Sequence, residues 1–504
     1  MNAIGIDVGT TGLKAVAVSA GGEILREKNV RYPTRLAGLG AEQDARAWWD
    51  AATTALPEVV GNEPVSGVAV TCQAPTLVCL DANLEPLGAA LTWIDRRAGV
   101  EARELADATR TTRNPPDPYF ATAKLLWLVR NRPEEIEGAR AVLCANGFIV
   151  GRMTGEFSFD ETTAGLFQGW DGSFDPALPD LVPLGLLPEA RPAMEVAGRV
   201  SRAAAEATGL PEGTPVVHGG IDAVGAALEA GIFGAGDGLV EMTGFSTVVI
   251  TAAERGTLVP GMIHTRHGVG ESDLILAAMV TAGAVTDWGM KLTGFESPAA
   301  FDRNVSERIP PRERPGRLLM VPALAGERTP TWDATARGAI VGLDLDVDAA
   351  DLALAIYEGT ALGVEDNFER LQKVLGDLTP VRSVGGGSKS ENWSQIKADV
   401  LGVPVTVPRL GHGAAAGAAM LAGMATGLWP DETSARALVT EEGRTFEPDP
   451  EKTEKYAERL RLYRELQGML PPITRSLQTP EGRERSPGQE TNQSTLGRAE
   501  EEMR

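Results

Sequence analysis

The chain of 504 residues lacks several features that would decide its class at once. Its three cysteines (Cys72, Cys79 and Cys144) lie in apolar stretches and form no C-x-x-C pair, so neither a disulfide framework nor a cysteine metal site is expected. No apolar run approaches the roughly 18 residues of a transmembrane helix, and Met1 is followed by a strand rather than by a leader peptide. We therefore expect a cytoplasmic protein without a membrane partner.

Positive charge and aromatic residues are also scarce. The 47 basic residues are outnumbered by 69 acidic ones, which gives a net charge of −22, whereas binding to nucleic acid requires clustered Lys and Arg. Aromatic residues make up 5% of the chain and hydrophobic residues 43%. This composition suits an α/β protein with no nucleic-acid partner, and the length predicts two large domains of roughly 200–250 residues each.

The motifs of several enzyme classes are absent. The chain contains no G-x-x-x-x-G-K-[ST] loop, no G-x-S-x-G nucleophile elbow and no glycine spacing of a dinucleotide-binding fingerprint. Its four histidines form no metal-binding pattern: His218, His264, His267 and His412. P-loop kinases, α/β-hydrolases and proteins with a Rossmann fingerprint are therefore disfavoured.

The beginning of the chain predicts an antiparallel meander. Residues 3–8 form a strand, Gly9–Gly12 (GTTG) a tight turn and residues 13–20 a second strand. A third strand over residues 23–32 follows the hairpin signal Gly21-Gly22. This order differs from the βαβ unit of a dinucleotide-binding domain.

A second hairpin of the same kind lies near the middle of the chain. Residues 238–242 and 247–252 are its predicted strands, and the turn Thr243–Ser246 (TGFS) joins them. Two such hairpins indicate two related domains, with a chance resemblance of two Gly-Thr turns as the alternative. The predicted limits of a first domain, a second domain and a polar, disordered tail are 1–235, 236–475 and 476–504.

Asp7 ends the first strand and precedes a turn that carries Thr10 and Thr11. Glycines let a backbone approach an anion, and the N–H groups and hydroxyls of such a turn can hold phosphate oxygens. A carboxylate beside phosphates requires a bridging cation, so Asp7 predicts Mg²⁺, held directly or through water. Lys14 on the next strand could neutralise further charge. An ordinary hairpin turn is the alternative for this segment alone, and the second hydroxyl-bearing turn favours the phosphate site.

Residues 216–227 (VVHGGIDAVGAA) predict a strand, a Gly-Gly turn and a helix that begins at Asp222. An aspartate at this position could be only a helix cap. The residues around it leave space that a cap does not require: Gly219, Gly220, Ala223 and Gly225. A helix N-terminus lowers the pKa of a carboxylate, so we expect Asp222 to be a weak base that acts by position. This suits phosphoryl transfer, in which a loose transition state needs little early proton removal.

Two further segments are less specific. Residues 385–390 (GGGSKS) join a strand to a helix, and three glycines would let adenine or ribose lie against the backbone, with a flexible loop as the alternative. Ser388 and Glu391 have the spacing of a helix capping box. Residues 90–98 (ALTWIDRRA) predict a strand that ends in Asp95 and two arginines, which could bind sugar hydroxyls or form a surface ion pair.

Taken together, these residues resemble the FGGY family of carbohydrate kinases, which includes xylulokinase, ribulokinase, gluconate kinase and glycerol kinase. The resemblance covers about residues 3–429, and residues 338–343 (GAIVGL) with 351–358 (DLALAIYE) are similar to one family signature throughout. Residues 119–131 (YFATAKLLWLVRN) are similar to the other, except that Ala121 stands where Ser, Thr or Pro is usual. The general pattern resembles the xylulokinase branch most.

The resemblance implies an α/β fold with two ribonuclease H-like domains, of the actin/Hsp70/hexokinase type, around a central cleft. It implies ATP and Mg²⁺ as cofactors, Asp222 as the catalytic base and Asp7 as the acid linked to Mg²⁺. The residues at family positions for the nucleotide are Thr10, Thr11, Thr243, Gly244, Gly283, Gly386, Gly387 and Ser390, with Asp287 where glycerol kinases place a Gln. Lys14 joins the nucleotide candidates because of its charge. The candidates for the substrate are Gln73, Ala74, Asp95, Tyr119 and Asp222.

The predicted substrate loop departs from the family. Gln73-Ala74-Pro75-Thr76 stands where xylulokinases typically carry Gln-Met-His-Gly and glycerol kinases Gln-Arg-Glu, and Ala223 stands where Asn or Gln is common. We expect transfer of phosphate from ATP to a primary hydroxyl of a ketopentose. The alternatives are a kinase of another polyol or sugar acid, such as erythritol, gluconate or a glycerol-like compound, and a sensor of the same fold without catalysis. A homodimer is left open.

Overall fold

The computed structural model describes residues 1–108, 113–244, 246–308, 310, 314–408, 413–439 and 443–477. In chain order the strands are β1 (Asn2–Val8), β2 (Gly12–Ser19), β3 (Ile24–Arg31), β4 (Arg35–Ala37), β5 (Gly40–Gln43), β6 (Val65–Cys72), β7 (Val78–Leu80), β8 (Ala90–Leu91), β9 (Ala141–Leu143), β10 (Val196–Arg199), β11 (Pro215–Val217), β12 (Gly220–Ile221), β13 (Leu239–Thr243), β14 (Thr247–Glu254), β15 (Ile263–Arg266), β16 (Ser272–Met279), β17 (Leu319–Val321), β18 (Ala339–Val341), β19 (Val381–Gly385), β20 (Val405–Val407) and β21 (Arg444–Phe446).

The α-helices are interspersed with these strands, as expected for an α/β fold. They are α1 (Ala45–Val59), α2 (Gly99–Ala108), α3 (Ala121–Asn131), α4 (Pro133–Gly138), α5 (Ala145–Thr154), α6 (Glu161–Ala164), α7 (Arg202–Thr208), α8 (Asp222–Glu229), α9 (Gly283–Thr293), α10 (Pro298–Arg308), α11 (Ala349–Leu375), α12 (Glu391–Leu401), α13 (Ala414–Ala425), α14 (Glu432–Arg436) and α15 (Pro450–Ser476). Short 3₁₀ helices span Leu178–Asp180, Leu184–Leu186 and Gly386–Lys389.

The first sheet contains the meander predicted at the beginning of the chain. Its strand order is β10-β11-β6-β1-β2-β3, and β12 also pairs with β6. Strand β1 is antiparallel to β2 and parallel to β6, so Asp7 lies opposite Lys14 on one side and Thr71 on the other. Every residue of β1 except Asp7 is buried, because β1 lies inside the sheet. The carboxyl end of this apolar strand therefore brings a single carboxylate to the edge of the sheet.

The second sheet repeats this arrangement. Its strand order is β15-β16-β14-β13-β19-β20-β21. Strand β13 is antiparallel to β14 and parallel to β19, as β1 is to β2 and β6. Thr243, the last residue of β13, lies opposite Thr247 and Gly385. The second hairpin predicted from the sequence is present, and its place in the sheet matches that of the first.

Helix α13 packs against the first sheet although it comes late in the chain. It contacts β1, β6 and α8, and its small residues join the core of that sheet. This close approach depends on glycine, because a Cβ on Gly5 would lie 1.9 Å from the carbonyl oxygen of Ala415, and a Cβ on Gly417 would lie 1.9 Å from that of Gly225. The predicted domain limits place this helix in the second domain, and it packs against the sheet of the first.

Helix α12 begins and ends at residues with clear stop signals. The hydroxyl of Ser390 accepts a hydrogen bond from the N–H of Trp393 at 3.0 Å and caps the first turn, and Gly402 ends the helix in the left-handed conformation. The predicted capping box is wrong, because Ser388 lies in a 3₁₀ helix and its hydroxyl donates to the carbonyl oxygen of Gly385.

Two other predictions of local structure also change. The strand predicted over residues 90–98 is only the two-residue β8, and the chain turns at Thr92, whose carbonyl oxygen accepts the N–H of Asp95 at 3.1 Å. Of the predicted tail, residues 478–504 lie outside the described residues, whereas Ser476 is the last residue of α15. Within the described part of the chain, no helix combines the length and the apolar character needed to cross a membrane.

Candidate active site

Two cavities lie between the sheets and meet at Gly244. The first, which we name the aspartate cavity, has a volume of about 350 Å³ and is lined by residues of both halves of the chain, among them Asp7 and Asp222. The second, the glycine cavity, has a volume of about 880 Å³. Thr10 lines the aspartate cavity and Thr11 the glycine cavity, while Gly244 lines both. One turn of the first sheet and one of the second thus line two adjoining cavities, which together we call the cleft.

Asp7 is held at the cleft by its neighbours in the sheet. The hydroxyl of Thr71 donates a hydrogen bond to Oδ1 of Asp7 at 3.0 Å. Desolvation raises the pKa of Asp7 to about 6, and the hydrogen bond from Thr71 and the charge of Lys14 act in the opposite direction. Lys14 lines the same cavity, but its Nζ lies 3.0 Å from Glu27, so part of its charge is already compensated.

The turn after Asp7 is fixed by side chains from three other segments. The carbonyl oxygen of Thr10 accepts hydrogen bonds from Gln43 at 2.8 Å and from Thr34 at 2.9 Å. The hydroxyl of Thr10 accepts one from the indole N–H of Trp93 at 3.0 Å. Tyr32 donates to the carbonyl oxygen of Gly9 at 2.6 Å. A turn held in this way presents its groups to the cleft in a fixed geometry.

Asp222 is the first residue of α8, and its carboxylate accepts the N–H of Ala223 at 2.8 Å. Burial and, secondly, the charge of Asp7 raise the pKa of Asp222 to about 7. The expectation that the helix N-terminus would lower this pKa is wrong. Desolvation and a second carboxylate outweigh the favourable N–H group, so Asp222 is a stronger base than an exposed aspartate.

The glycines before Asp222 have a backbone role that the sequence did not reveal. Gly219 has a φ of +71°, and a Cβ there would lie 1.9 Å from the carbonyl oxygen of Val70. Only glycine can therefore connect β11 to β12 so close to β6. The space attributed to these glycines is a consequence of strand packing as well as of room for a ligand.

Six of the predicted nucleotide residues line the glycine cavity: Thr11, Gly244, Gly283, Gly386, Gly387 and Ser390. Asp287 lines it too, while Thr10 and Lys14 line the aspartate cavity. The hydroxyl of Ser390 donates to Asp302 as well as capping α12, so it is partly committed within the protein.

The side chain of Thr243 does not reach either cavity. Its hydroxyl donates to Glu241, lies 2.8 Å from that of Thr247 and is 3.5 Å from Nζ of Lys397. All of these groups are buried, and Lys397 also lies 2.6 Å from Glu241. The prediction that Thr243 contacts the nucleotide through its hydroxyl is therefore not supported by its position.

Two aromatic residues that the sequence did not single out for the site form a wall of the glycine cavity. The rings of Tyr357 and Trp393 stack with centroids 4.9 Å apart and an angle of 13° between their planes. Tyr357 belongs to the segment 351–358 and Trp393 to the apolar face of α12, so both could have been expected only as core residues. Asp302 of α10, also part of the lining, had no signal in the sequence.

The candidates for substrate binding divide into two groups. Ala74 and Tyr119 line the aspartate cavity, and the hydroxyl of Tyr119 donates to the carbonyl oxygen of Ala74 at 2.9 Å. Gln73 is not in the lining, and its amide donates to Gln43 at 2.6 Å, so it supports the Thr10 turn from behind. Asp95 is also outside the lining.

Asp95 is instead part of a buried ion pair. Its carboxylate accepts the N–H of Ala41 at 2.9 Å and the guanidinium of Arg97 at 2.6 Å. The predicted sugar contact is corrected in favour of the ion-pair alternative, although the pair is largely buried rather than on the surface. Trp93, two residues earlier, is the member of this segment that lines the aspartate cavity.

Comparison with known proteins agrees with this geometry. Models of the N-terminal and C-terminal domains of the FGGY family of carbohydrate kinases match residues 2–229 and 243–426. The chain belongs to this family. It is therefore a sugar kinase with the two-domain, actin- and hexokinase-like fold.

Relatives of this FGGY kinase are similar over almost their whole length. A xylulose kinase of Staphylococcus epidermidis is 26% identical over 490 residues, which cover 94% of this chain and 98% of the relative. One of Escherichia coli strain K12 is 28% identical over 487 residues, covering 93% and 99%. The crystal structure of xylulose kinase from Rhodospirillum rubrum is 27% identical, has a TM-score of 0.81 and covers 94% of this chain and 100% of that one.

The donor set of the FGGY kinase cleft fits Mg²⁺ bound in part by water and phosphate. Among the residues that the structure describes, no group of three or more His, Cys, Asp and Glu is placed to hold a metal ion. Asp7 and Asp222 are the acidic residues in the lining of the aspartate cavity. Mg²⁺ usually keeps several waters and takes one or two carboxylates together with substrate phosphates, so a site with few protein ligands is suitable.

Proposed function

We propose that this kinase transfers the γ-phosphate of ATP to a primary hydroxyl of a ketopentose. The observation that carries the proposal is the junction at Gly244, where the cavity with Asp7 and Asp222 adjoins the larger glycine cavity. A sugar in the first cavity and a nucleotide in the second would bring the acceptor hydroxyl next to the γ-phosphate. The similarity to xylulose kinases over most of the chain supports a ketopentose.

The glycine cavity has the features that a nucleotide requires. The backbone at Gly244, Gly386 and Gly387 allows phosphate and ribose to approach without obstruction by side chains. Gly283 begins α9, a helix of 11 residues, and the N–H groups of a helix N-terminus favour an anion. We place the base against the wall formed by Tyr357 and Trp393.

Asp222 is the proposed base. As the sugar oxygen forms its bond to the γ-phosphorus, the bond from that phosphorus to the bridging oxygen of ADP breaks, and the hydroxyl proton passes to the Asp222 carboxylate. Its raised pKa makes this carboxylate a suitable proton acceptor near neutral pH. Bound Mg²⁺ near Asp7 would offset the negative charge of the phosphates.

The remaining lining of the aspartate cavity suits a small sugar. Its volume of about 350 Å³ is modest, and Ala74, Leu166 and Ile263 make part of the wall apolar. The apolar wall also leaves the choice of substrate open, because Ala74 and Ala223 offer no polar side chain that would select a ketopentose. A kinase of another polyol or of a sugar acid is therefore the second candidate.

The test is the release of ADP by the purified chain with Mg²⁺ and ATP against a panel of pentuloses, polyols and aldonates. We expect a pentulose, with xylulose first, to give the highest kcat/KM. A polyol or an aldonate as the best substrate would replace the ketopentose but leave the kinase activity standing. Binding of a sugar without release of ADP above background would instead favour a sensor.

Other expectations from the sequence stay predictions. These are the limits of the two domains, a cytoplasmic location, the absence of nucleic-acid and membrane partners, and the open alternative of a homodimer. The oligomeric state can be measured by light scattering on the same preparation.

A further inference from the structure

The aspartate cavity contains a cation that the proposed transfer does not use. Arg328 lies in its lining, although this residue belongs to the C-terminal half of the chain. Arg328 is 4% exposed, its Nη2 donates to the carbonyl oxygen of Met279 at 3.2 Å, and its Nε has no hydrogen-bond partner. Buried donors in proteins are nearly always paired, so a guanidinium that lines the cavity and keeps an unpaired N–H points to a ligand that would complete its hydrogen bonds.

The backbone around Arg328 is fixed on both sides. Glu327 accepts the N–H of Val280 at 3.0 Å and the N–H of Arg328 itself at 3.0 Å. The hydroxyl of Thr329 accepts the N–H of Ala278 at 2.6 Å, and the N–H of Thr329 donates to the carbonyl oxygen of Ala278 at 3.2 Å. The residues before and after Arg328 are thus tied to the end of β16, which gives the side chain a defined origin at the cleft.

The guanidinium is held between rings of the N-terminal half. Its central carbon lies 4.8 Å from the ring centroid of Trp93 and 5.2 Å from that of Tyr119. Both rings line the aspartate cavity, and the indole of Trp93 also binds the hydroxyl of Thr10. Aromatic contacts occupy the faces of a guanidinium and leave the N–H groups on its edge to bind oxygen.

We propose that Arg328 is a sugar-binding residue that the C-terminal domain contributes to the acceptor site. In this arrangement its guanidinium donates to a sugar oxygen other than the one that Asp222 deprotonates, while Trp93 and Tyr119 keep it in plane. This contact supplies a hydrogen bond to the sugar, which the side chains of Ala74 and Ala223 cannot form. The inference rests on the proposed function, since it concerns the sugar of the same reaction.

The experiment compares the wild-type chain with Arg328→Met and Arg328→Lys. Sugar binding is measured by calorimetry without nucleotide, using the best substrate of the panel, and KM is measured for sugar and for ATP. We expect Arg328→Met to raise Kd and KM for the sugar by about 10- to 100-fold, as for loss of a hydrogen bond to a charged group, and to leave KM for ATP unchanged. Arg328→Lys keeps the charge without the planar fork and is expected to lie between the two. The matched control is Arg317→Met, an exposed ion pair with Asp351, which should change neither constant.

A series of deoxy sugars separates binding from a purely structural role. If Arg328 contacts one oxygen, the penalty of Arg328→Met disappears for the analogue that lacks this oxygen and persists for the others. An equal penalty for every analogue, or unchanged sugar affinity in both variants, would overturn the inference while the kinase activity stands. A wild-type chain that neither binds nor phosphorylates any sugar of the panel would overturn the proposed function and this inference together.

Discussion

The two hairpins at the cleft have the same place in their sheets but use their side chains differently. In the first, Asp7 is the penultimate residue of β1 and lines the aspartate cavity, and the next turn presents Thr10 and Thr11 to the cleft. In the second, β13 carries Glu241, which is buried with Lys397, and the hydroxyl of Thr243 donates to that glutamate. Equivalent topology therefore carries reactive groups in one half and an internal anchor in the other.

The difference follows from what surrounds the end of each strand. Beside β1, the neighbouring strand offers Thr71, a single neutral donor, and the carboxylate of Asp7 keeps an accessible side. Beside β13, Ser383 and Lys397 complete a network around Glu241, with the serine hydroxyl 2.6 Å and the ammonium 2.6 Å from the same oxygen. The carboxylate of Asp7 thus stays available for the proposed reaction, whereas that of Glu241 holds the turn after β13 through hydrogen bonds within the protein.

The largest expected effect is on kcat and comes from a substitution in the aspartate cavity. Asp222→Asn should lower kcat by about 10²- to 10⁴-fold, because the amide cannot accept the proton of the acceptor hydroxyl. The thermal midpoint should not fall, since the change removes a buried charge that faces Asp7. Steady-state kinetics and thermal unfolding of the same preparation measure both effects.

Asp50→Asn is the control for this variant, since Asp50 is an exposed aspartate on α1 in the same half of the chain. It should retain full activity. Near-normal turnover of Asp222→Asn would mean that Asp222 is only a structural residue at the start of α8, and the proposed mechanism would have to be abandoned.

Substitutions in the buried pair of Glu241 and Lys397 should instead lower the stability of the protein. Lys397→Met leaves Glu241 as a buried carboxylate without its cation, and loss of one partner of such a pair costs about 3–5 kcal/mol of unfolding free energy. The double variant Glu241→Gln with Lys397→Met should recover part of this loss, because no unpaired charge remains. Denaturation in urea measures all three chains.

The kinetic behaviour of the anchor variants makes the contrast sharper. Below their unfolding temperature, they should keep kcat to a much greater extent than Asp222→Asn does. A Lys397→Met chain with wild-type stability and a kcat as low as that of Asp222→Asn would show that the second hairpin takes part in the chemistry after all.

A second buried lysine, in the first half, lacks the carboxylate that Lys397 has. Nζ of Lys124 donates to the carbonyl oxygens of Asp95 at 2.9 Å and Pro118 at 2.6 Å. Burial, reinforced by the charge of Arg96 and opposed by the nearby carboxylates, lowers the pKa of Lys124 to about 7. Two buried lysines in one chain thus have different means of compensation.

This lowered pKa predicts a dependence of stability on pH. Between pH 7 and the ordinary lysine value of 10.5, the unfolded chain binds the Lys124 proton and the folded chain does not, so the unfolding free energy rises with pH. The contribution is about 1 kcal/mol per pH unit. Lys124→Met should remove it, so the difference between wild type and variant in urea denaturation at pH 7, 8 and 9 should change steadily. A constant difference over this range would contradict the lowered pKa.

Much of the fold could be predicted from the sequence, because local patterns determine it. The alternation and glycine turns of residues 3–32 and 238–252 gave both hairpins within a few residues of their observed ends. The same method could not show that α13 packs against the first sheet, because these contacts are distant in sequence and depend on the close approach of glycines to backbone carbonyl groups. It also overestimated β8, since an apolar run cannot show where a chain turns.

The site was predicted where a backbone turn defines it and missed where tertiary packing does. Asp7, Asp222 and Gly244 line the cleft as expected, but the raised pKa of Asp222 depends on burial that no local pattern shows. Arg328 lies in a segment, residues 324–338 (LAGERTPTWDATARG), that resembles the family, but the sequence did not show that its side chain lines the cleft. Asp95 was a candidate for substrate binding, but its carboxylate pairs with Arg97 away from the cleft, and the sequence could not show this arrangement.

The smallest expected effect tests the two turns directly. Thr11 is exposed and lines the glycine cavity, so Thr11→Val should raise KM for ATP by about 5-fold, the value of one neutral hydrogen bond, without a change in stability. Thr243→Val should do the reverse. It removes the hydroxyl that donates to Oε1 of Glu241 and lowers the unfolding free energy by about 1–2 kcal/mol, while KM for ATP stays near that of wild type. Because valine has nearly the shape of threonine, each variant is the volume control of the other. If both threonines changed KM for ATP alike, the second turn would present its hydroxyl to the nucleotide just as the first does, and the division between a reactive and an anchoring hairpin would be lost.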